Sequence, residues 1–158
     1  MSDDDDHLYR LGAGIMLLNE KGKVWVGARI DNPHDAWQMP QGGIDQEEEP
    51  WPAALRELEE ETGIRPHLVE RVAEHPECLR YDLPVEWREK LWRGQWRGQT
   101  QHWFLARFLG TDDDVNLQTH HPEFRDWKWV EPSELLDLIV PFKRDLYSRL
   151  LNDFAPYL

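Results

Sequence analysis

The sequence predicts a fold of the α/β or α+β class, a sandwich in which helices pack outside a central sheet of mixed strand direction. Three observations point there. Short apolar or alternating segments bounded by turn residues recur along the chain, and three amphipathic stretches sit between and after them. The two kinds of element do not alternate in the regular rhythm of a purely parallel βαβ sheet. With 158 residues, 40% of them hydrophobic, the chain suits one sizeable core. Residues 1–7 are expected to form a disordered acidic N-terminus and residues 8–158 one domain, because no repeat, low-complexity tract or Pro/Gly/Ser linker interrupts the apolar positions from Leu8 to Phe154.

The first two strands are expected at Leu11 to Leu18 and Val24 to Ile30, joined by a hairpin turn, Asn19 to Lys23, that contains Gly22. A helix should open at Pro50 to Pro52, where proline is tolerated in a first turn, and stop at Gly63, which can take the left-handed C′ conformation. Strands follow near Leu68 to Glu74 and Leu79 to Leu83, with a short helix from Val85 to Trp92. Further strands are read at Gln101 to Leu109 and Trp127 to Val130. Two helices close the chain, Pro132 to about Ile139 and about Phe142 to Phe154, the latter with Leu146, Leu150 and Leu151 at helical spacing.

Composition excludes several classes of function. No apolar run approaches the roughly 20 residues that cross a bilayer, and an acidic start is unlike a secretory signal, so a cytoplasmic protein with no membrane partner is expected. The single cysteine, Cys78, cannot form an intrachain disulfide and has no zinc-spaced neighbours, so it reads as a buried or bystander thiol. Eighteen basic against 31 acidic residues give a net charge of −13, a field that repels duplex DNA. The runs Asp3 to Asp6 and Asp112 to Asp114 read as solvated and carry no assigned role. His7, His34, His67, His75, His120 and His121 belong to no motif and are expected on the surface.

The acids of the first helix are different. A rotation of about 100° per residue puts Glu57, Glu60 and Glu61 on one arc, beside a stripe of Leu55, Leu58 and Thr62 that can pack on a sheet. Like charges one turn apart cost about 0.2–0.5 kcal/mol per pair, and a divalent cation would reverse that sign. Carboxylate oxygens suit Mg²⁺ or Mn²⁺. A solvated acidic face neutralised by Arg56 and Arg65 remains the alternative for the helix taken alone.

The longer spacing decides between them. Gly42 is followed after five residues by Glu48, then after seven by Arg56-Glu57-Leu58, Glu60-Glu61 and Gly63-Ile64. Seven fixed positions at roughly one in twenty each agree by chance at one start on the order of once in a billion. This pattern resembles the box of the Nudix hydrolases in full. The resemblance implies an α/β/α sandwich with a mixed central sheet, and a loop-helix-loop whose glutamates hold two or three divalent ions, Mg²⁺ or Mn²⁺, against a pyrophosphate. By position, Glu57, Glu60 and Glu61 are the implied ligands, with the Gly42 carbonyl as a further one. Arg56 is implied to anchor the loop to the helix by pairing with an acid.

Outside the box the chain is similar to the bacterial branch that hydrolyses 5′-triphosphorylated RNA and dinucleoside polyphosphates. The segments are Trp37-Gln38-Met39-Pro40-Gln41-Gly42-Gly43-Ile44, Leu79-Arg80-Tyr81, Gly98-Gln99-Thr100-Gln101-His102-Trp103-Phe104, His121-Pro122-Glu123-Phe124 with Trp127-Lys128-Trp129-Val130, and Val140-Pro141-Phe142-Lys143-Arg144-Asp145. The resemblance makes Glu123 a late-loop carboxylate that reaches the metal site, Phe142 a face for a nucleobase and Lys143 a charge for phosphate. Arg29, Arg10 and Arg80 are phosphate candidates, and Gln41 and Gln99 complete the substrate-binding set. Trp103, Phe104, Trp127 and Trp129 alternate in strands and read as core.

Leu11 replaces the proline usual after Tyr-Arg, Thr100 and His102 replace lysines, and the stretch Glu86 to Arg97 carries unusual tryptophans. These departures bear on substrate preference, and His102 replaces a lysine's charge only when protonated. The implied chemistry is in-line attack of an activated water on a phosphoanhydride, the bound cations reconciling an acidic protein with an anionic substrate. Glu57 is the favoured proton acceptor, with Glu61 and Glu48 as alternatives. Conversion of a 5′-triphosphate RNA end to a 5′-monophosphate and cleavage of a dinucleoside polyphosphate of the diadenosine tetraphosphate type are the two enzymatic expectations. A non-catalytic nucleotide-sensing domain is the third, and the intact box argues against it.

Overall fold

The computed structural model describes residues 7–31, 36–88, 94–120 and 122–158. The acidic run at residues 3–6, His34, His121 and the end of the helix expected up to Trp92 lie outside the described residues. The strands are β1 (Tyr9–Leu18), β2 (Val24–Arg29), β3 (Gln41–Gly43), β4 (Val69–Glu74), β5 (Leu79–Asp82), β6 (Gly98–Phe108) and β7 (Phe124–Val130). The helices are α1 (Pro50–Thr62), α2 (Val85–Arg88), α3 (Leu135–Leu138) and α4 (Arg144–Asp153).

Among the described residues the strands form one mixed sheet in the order β4-β6-β1-β2-β7. Its spine is the parallel pair β1 and β6, in register from Tyr9 opposite Gly98 to Leu18 opposite Arg107. The other pairings are antiparallel. Each spine strand changes partner along its length. The early half of β1 pairs with β3 and its end with β2, while β6 pairs first with β5 and then with β4. The forks leave the ends of β3 and β5 side by side with the starts of β1 and β6, and this end of the sheet carries the cleft described below.

β1 is buried on both faces, and its alternation sorts the core into two layers. Ile15 and Leu17 join Phe104, Ala106 and the α1 residues Ala54 and Leu58 on one side. Met16 and Leu18 join Trp103, Leu105 and the α4 residues Leu146, Tyr147 and Leu150 on the other. The expected sandwich is therefore present, with α1 and α4 as its outer layers. Buried Tyr147 accepts the Met39 N–H at 2.8 Å, tying the segment before β3 to α4.

Gly14 faces Trp103 across the spine, and a Cβ there would fall 2.6 Å from the indole ring. Gly14→Ala is expected to cost about 1–3 kcal/mol as an overpacking change. A lower urea midpoint at unchanged slope is the expected readout; an unchanged midpoint would mean that the ring moves aside freely.

The expected elements are present with shifted ends. β6 starts at Gly98 rather than Gln101, because Gly98 to Thr100 already pair with Tyr9 to Leu11 on one side and with Arg80 to Asp82 on the other. β3 has no counterpart in the expectations. His75, expected on the surface, is buried: its Nε2 lies 2.6 Å from Asp153 Oδ2, Nδ1 meets the Glu77 backbone, and Phe154 packs against the ring. Cys78 is exposed beside the His102 ring. No helix of the described residues is long and apolar enough to cross a membrane.

Candidate active site

The site starts from how α1 begins and ends. Pro50 occupies its first turn, and Gly63 stops it at φ 75° while donating its N–H to the Glu59 carbonyl at 2.8 Å. Packing of Ala53, Ala54, Leu58 and Thr62 against the sheet then turns Glu57, Glu60 and Glu61 toward a cleft of about 350 Å³.

Arg56 stitches the loop to this helix. Its Nε and Nη2 donate to the two carboxylate oxygens of Glu48, both at 2.8 Å, and Nη2 also donates to the Gly43 carbonyl at 3.0 Å. Nη1 reaches Glu57 at 3.0 Å and Glu60 at 3.2 Å. These bonds and the Asp45 N–H hold the Glu48 carboxyl down at about 2. Both Glu48 oxygens are thus engaged, and neither Glu48 nor Arg56 lines the cleft.

Glu57 and Glu61 sit in the opposite condition. Burial raises the Glu57 carboxyl above its ordinary range, against the pull of Arg56. Glu61 is raised well above it, first by burial and then by the charges of Glu57 and Glu123. Its Oε2 is buried with no hydrogen-bond partner. A fully buried carboxylate with an orphaned oxygen and two acidic neighbours is costly unless a cation or proton meets it. Gly42 lies directly against Glu57: a Cβ there would fall 2.1 Å from the carboxyl group. Among the described residues no three metal-ligating side chains already stand as a cluster, since Arg56 draws Glu57 and Glu60 to itself.

Basic and aromatic groups face these acids. Arg29, at the end of β2, makes a two-pronged pair with Asp31 at 2.8 and 2.9 Å and reaches Glu123 at 3.2 Å. Arg10 lies against Gly43. Lys143 is buried, and burial beside Arg29 brings its ammonium down to about 7. Its Nζ stands 5.1 Å from the centre of the Tyr81 ring. Phe142 packs between Tyr81 and Trp87, with centroids 5.9 and 5.8 Å away.

The structure therefore brings Glu57, Glu60, Glu61, Glu123, Gly42, Arg10, Arg29, Gln41, Gln99, Phe142 and Lys143 to one cleft. Arg80 is not among them. Side chains alternate along β5, so Tyr81 faces the cleft while Arg80 lies on the other face, over the Tyr9 ring and bonded to Thr100. The cleft also takes in Asp31, Gln38, Leu83, Trp87 and Val140, for which the sequence gives no site role. Gln38 and Val140 fall inside quoted segments, Leu83 ends an expected strand and Trp87 is among the unusual tryptophans, so those four had a signal. Asp31 had none.

The family model described as NUDIX domain matches residues 8–150. Over 156 residues the chain is 53% identical to the RNA pyrophosphohydrolase of Sphingopyxis alaskensis, covering 99% of both chains. It is 56% identical over 148 residues to the RNA pyrophosphohydrolase of Novosphingobium aromaticivorans, covering 92% of each. Among solved structures, the C. elegans Ap4A hydrolase binary complex is similar in fold, with a TM-score of 0.68 at 24% identity over 93% of this chain and 98% of that one. The E. coli dihydroneopterin triphosphate pyrophosphohydrolase is similar at a TM-score of 0.69, with 18% identity over 92% and 99%.

Proposed function

We propose that this chain, which belongs to the Nudix family, hydrolyses the phosphoanhydride bonds of 5′-triphosphorylated RNA ends and leaves a 5′-monophosphate. The observation that carries the reading is the meeting of the α1 carboxylates, Arg10, Arg29 and Lys143, and the Phe142 face in one cleft. Relatives that share about half of the sequence over nearly full length bear the name RNA pyrophosphohydrolase, which supports the substrate. Residues 8–158 are taken as one working unit, acting in the cytoplasm, where such RNA ends are made.

The donor set fits a divalent cation: several hard carboxylate oxygens, one of them buried and without a partner. Glu57, Glu60 and Glu61 would hold it, with Glu123 and the Gly42 carbonyl within the same cleft. The chemistry supplied by Mg²⁺ or Mn²⁺ held there, two or three ions in all, would be neutralisation of phosphate oxygens and a lower pKa for bound water. Glu57 accepts the attacking water's proton, because both oxygens of Glu48 are committed to Arg56 and Glu61 lies deeper. Glu48 and Arg56 act by holding the loop against the helix. Arg29 and Lys143 neutralise the phosphate chain, and a phosphate arriving beside Lys143 favours its protonated form. Phe142 offers a face to a base, a contact worth about 1–3 kcal/mol.

Turnover of a short 5′-triphosphate RNA should exceed that of diadenosine tetraphosphate when kcat/KM values are compared in competition. Lys143→Ala should lower the RNA value by about tenfold or more, the loss expected when a charged hydrogen bond is removed. If the dinucleotide is far the better substrate and Lys143→Ala spares RNA turnover, the RNA reading falls. Silence toward a broad panel with Mg²⁺ and Mn²⁺ would leave a nucleotide sensor instead.

A further inference from the structure

Two glutamines on β6 sit where apolar residues would be expected. Gln99 and Gln101 are 3% and 0% exposed, and with fully buried Trp103 they occupy alternate positions on one face of the strand. A buried amide is costly unless it is hydrogen-bonded, and these three side chains bond one another in series. The Trp103 indole N–H donates to Gln101 Oε1 at 2.8 Å, and Gln101 Nε2 donates to Gln99 Oε1 at 2.7 Å.

The direction of this series is not free. An indole nitrogen can only donate, so the Gln101 group facing it must be the carbonyl oxygen. The Gln101 amide nitrogen is then turned toward Gln99, whose oxygen must accept it. The donor end of Gln99 is what remains for the cleft that Gln99 lines. β1 makes room for the series with Gly12 and Gly14, which stand opposite Gln101 and Trp103. A Cβ at Gly12 would fall 2.8 Å from Gln99 Oε1 and 3.0 Å from the Gly42 carbonyl, so Gln99 lies beside the glycine that touches Glu57.

We propose that Gln101 and Trp103 are positioning residues that lock the Gln99 amide with its NH₂ group toward the substrate, where it donates to a phosphate oxygen. A reversed amide would set oxygen lone pairs against the phosphates in a cleft already rich in carboxylates. The inference rests on the hydrolase reading above and assigns a polarity to one of its contacts.

The test is a double-mutant cycle on RNA hydrolysis. Gln99→Ala should raise KM by about 10- to 100-fold, the loss of one hydrogen bond to a charged group. Gln101→Glu, once ionised at the alkaline end of a pH series, still accepts from the indole but offers no donor to Gln99, which must rotate; the protonated acid would donate as the amide does. KM should rise as far in that variant, and Gln101→Glu should add nothing in the Gln99→Ala background. A KM that stays unchanged across that pH series in a folded Gln101→Glu protein, or the same rise in both backgrounds, overturns the proposal.

Should the buried carboxylate prevent folding, the wild-type protein decides by ¹⁵N NMR with Mg²⁺ and a methylene-bridged 5′-triphosphate nucleotide. The Gln99 NH₂ signals should move on saturation while those of Gln101 and the Trp103 indole hold, and static Gln99 signals overturn the proposal. No turnover by the wild-type protein would sink the hydrolase reading and this inference with it. Turnover with uncoupled variants would sink this inference alone.

Discussion

Glu57→Gln lowers kcat by about 10²- to 10⁴-fold, the usual scale for a lost general base, and leaves the fold intact. The amide keeps the shape of the side chain, so packing against Gly42 is preserved. Its effect on stability has a definite sign. Burial, helped by the neighbouring Glu60 charge, raises the folded-state Glu57 carboxyl above its ordinary range, outweighing the Arg56 pair. A carboxylate raised on folding costs stability once pH exceeds its unfolded-state value, so at neutral pH the neutral variant should melt at the same temperature or higher. That gap should close below about pH 4. Adding Mg²⁺ should reverse the order, since a ligand that binds only the folded state stabilises the protein with the stronger site. Wild-type turnover by the variant would remove Glu57 from the mechanism.

Gly42→Ala should be nearly as damaging, for a different reason. The new methyl group would stand 2.1 Å from the Glu57 carboxyl and 2.4 Å from its Cγ. What must yield is the far end of a flexible, partly exposed side chain, so the stability cost should stay within about 1 kcal/mol. The carboxylate, however, is pushed from its place against the loop. An error of about 1 Å in a reacting group costs on the order of 10²-fold. Gly42→Ala should therefore lower its urea midpoint by no more than about 1 M, lose that factor in kcat, and bind Mn²⁺ less tightly in a calorimetric titration. Normal kcat and Mn²⁺ affinity would show that the close approach at Gly42 has no catalytic purpose.

Much of this was legible in the chain because it is local. Pro50 and Gly63 mark the ends of α1, and the helical period places Glu57, Glu60 and Glu61 together before any fold is known. β3 was not legible. Gln41-Gly42-Gly43 has no strand propensity of its own and is extended because β1 offers partners at Gly12, Ala13 and Gly14. Arg80 and Tyr81 show the same limit within one motif. Both lie in one motif and only Arg80 is expected at the site, but which of two adjacent residues faces the cleft is decided by the pairing of β5 with β6. His75 belongs to no motif, and its burial depends on Asp153 and Phe154, nearly eighty residues later in the chain. Asp31 lines the cleft and pairs with Arg29 there, placements that depend on the fold. The glutamine series was within reach, because polar residues at alternate positions leading into Trp103 are a pattern in the sequence. Their burial was not, since it depends on the parallel neighbour β1.

The central claim is that the acidic edge of α1 exists to hold cations against a polyphosphate. A crystal structure with Mn²⁺ and a methylene-bridged triphosphate, with anomalous diffraction collected for manganese, tests it most directly. Anomalous peaks ligated by Glu57, Glu60 and Glu61 are expected, with the Arg56 contact to Glu60 released. Carboxylates still gathered on Arg56, with no manganese peak among them, would contradict it.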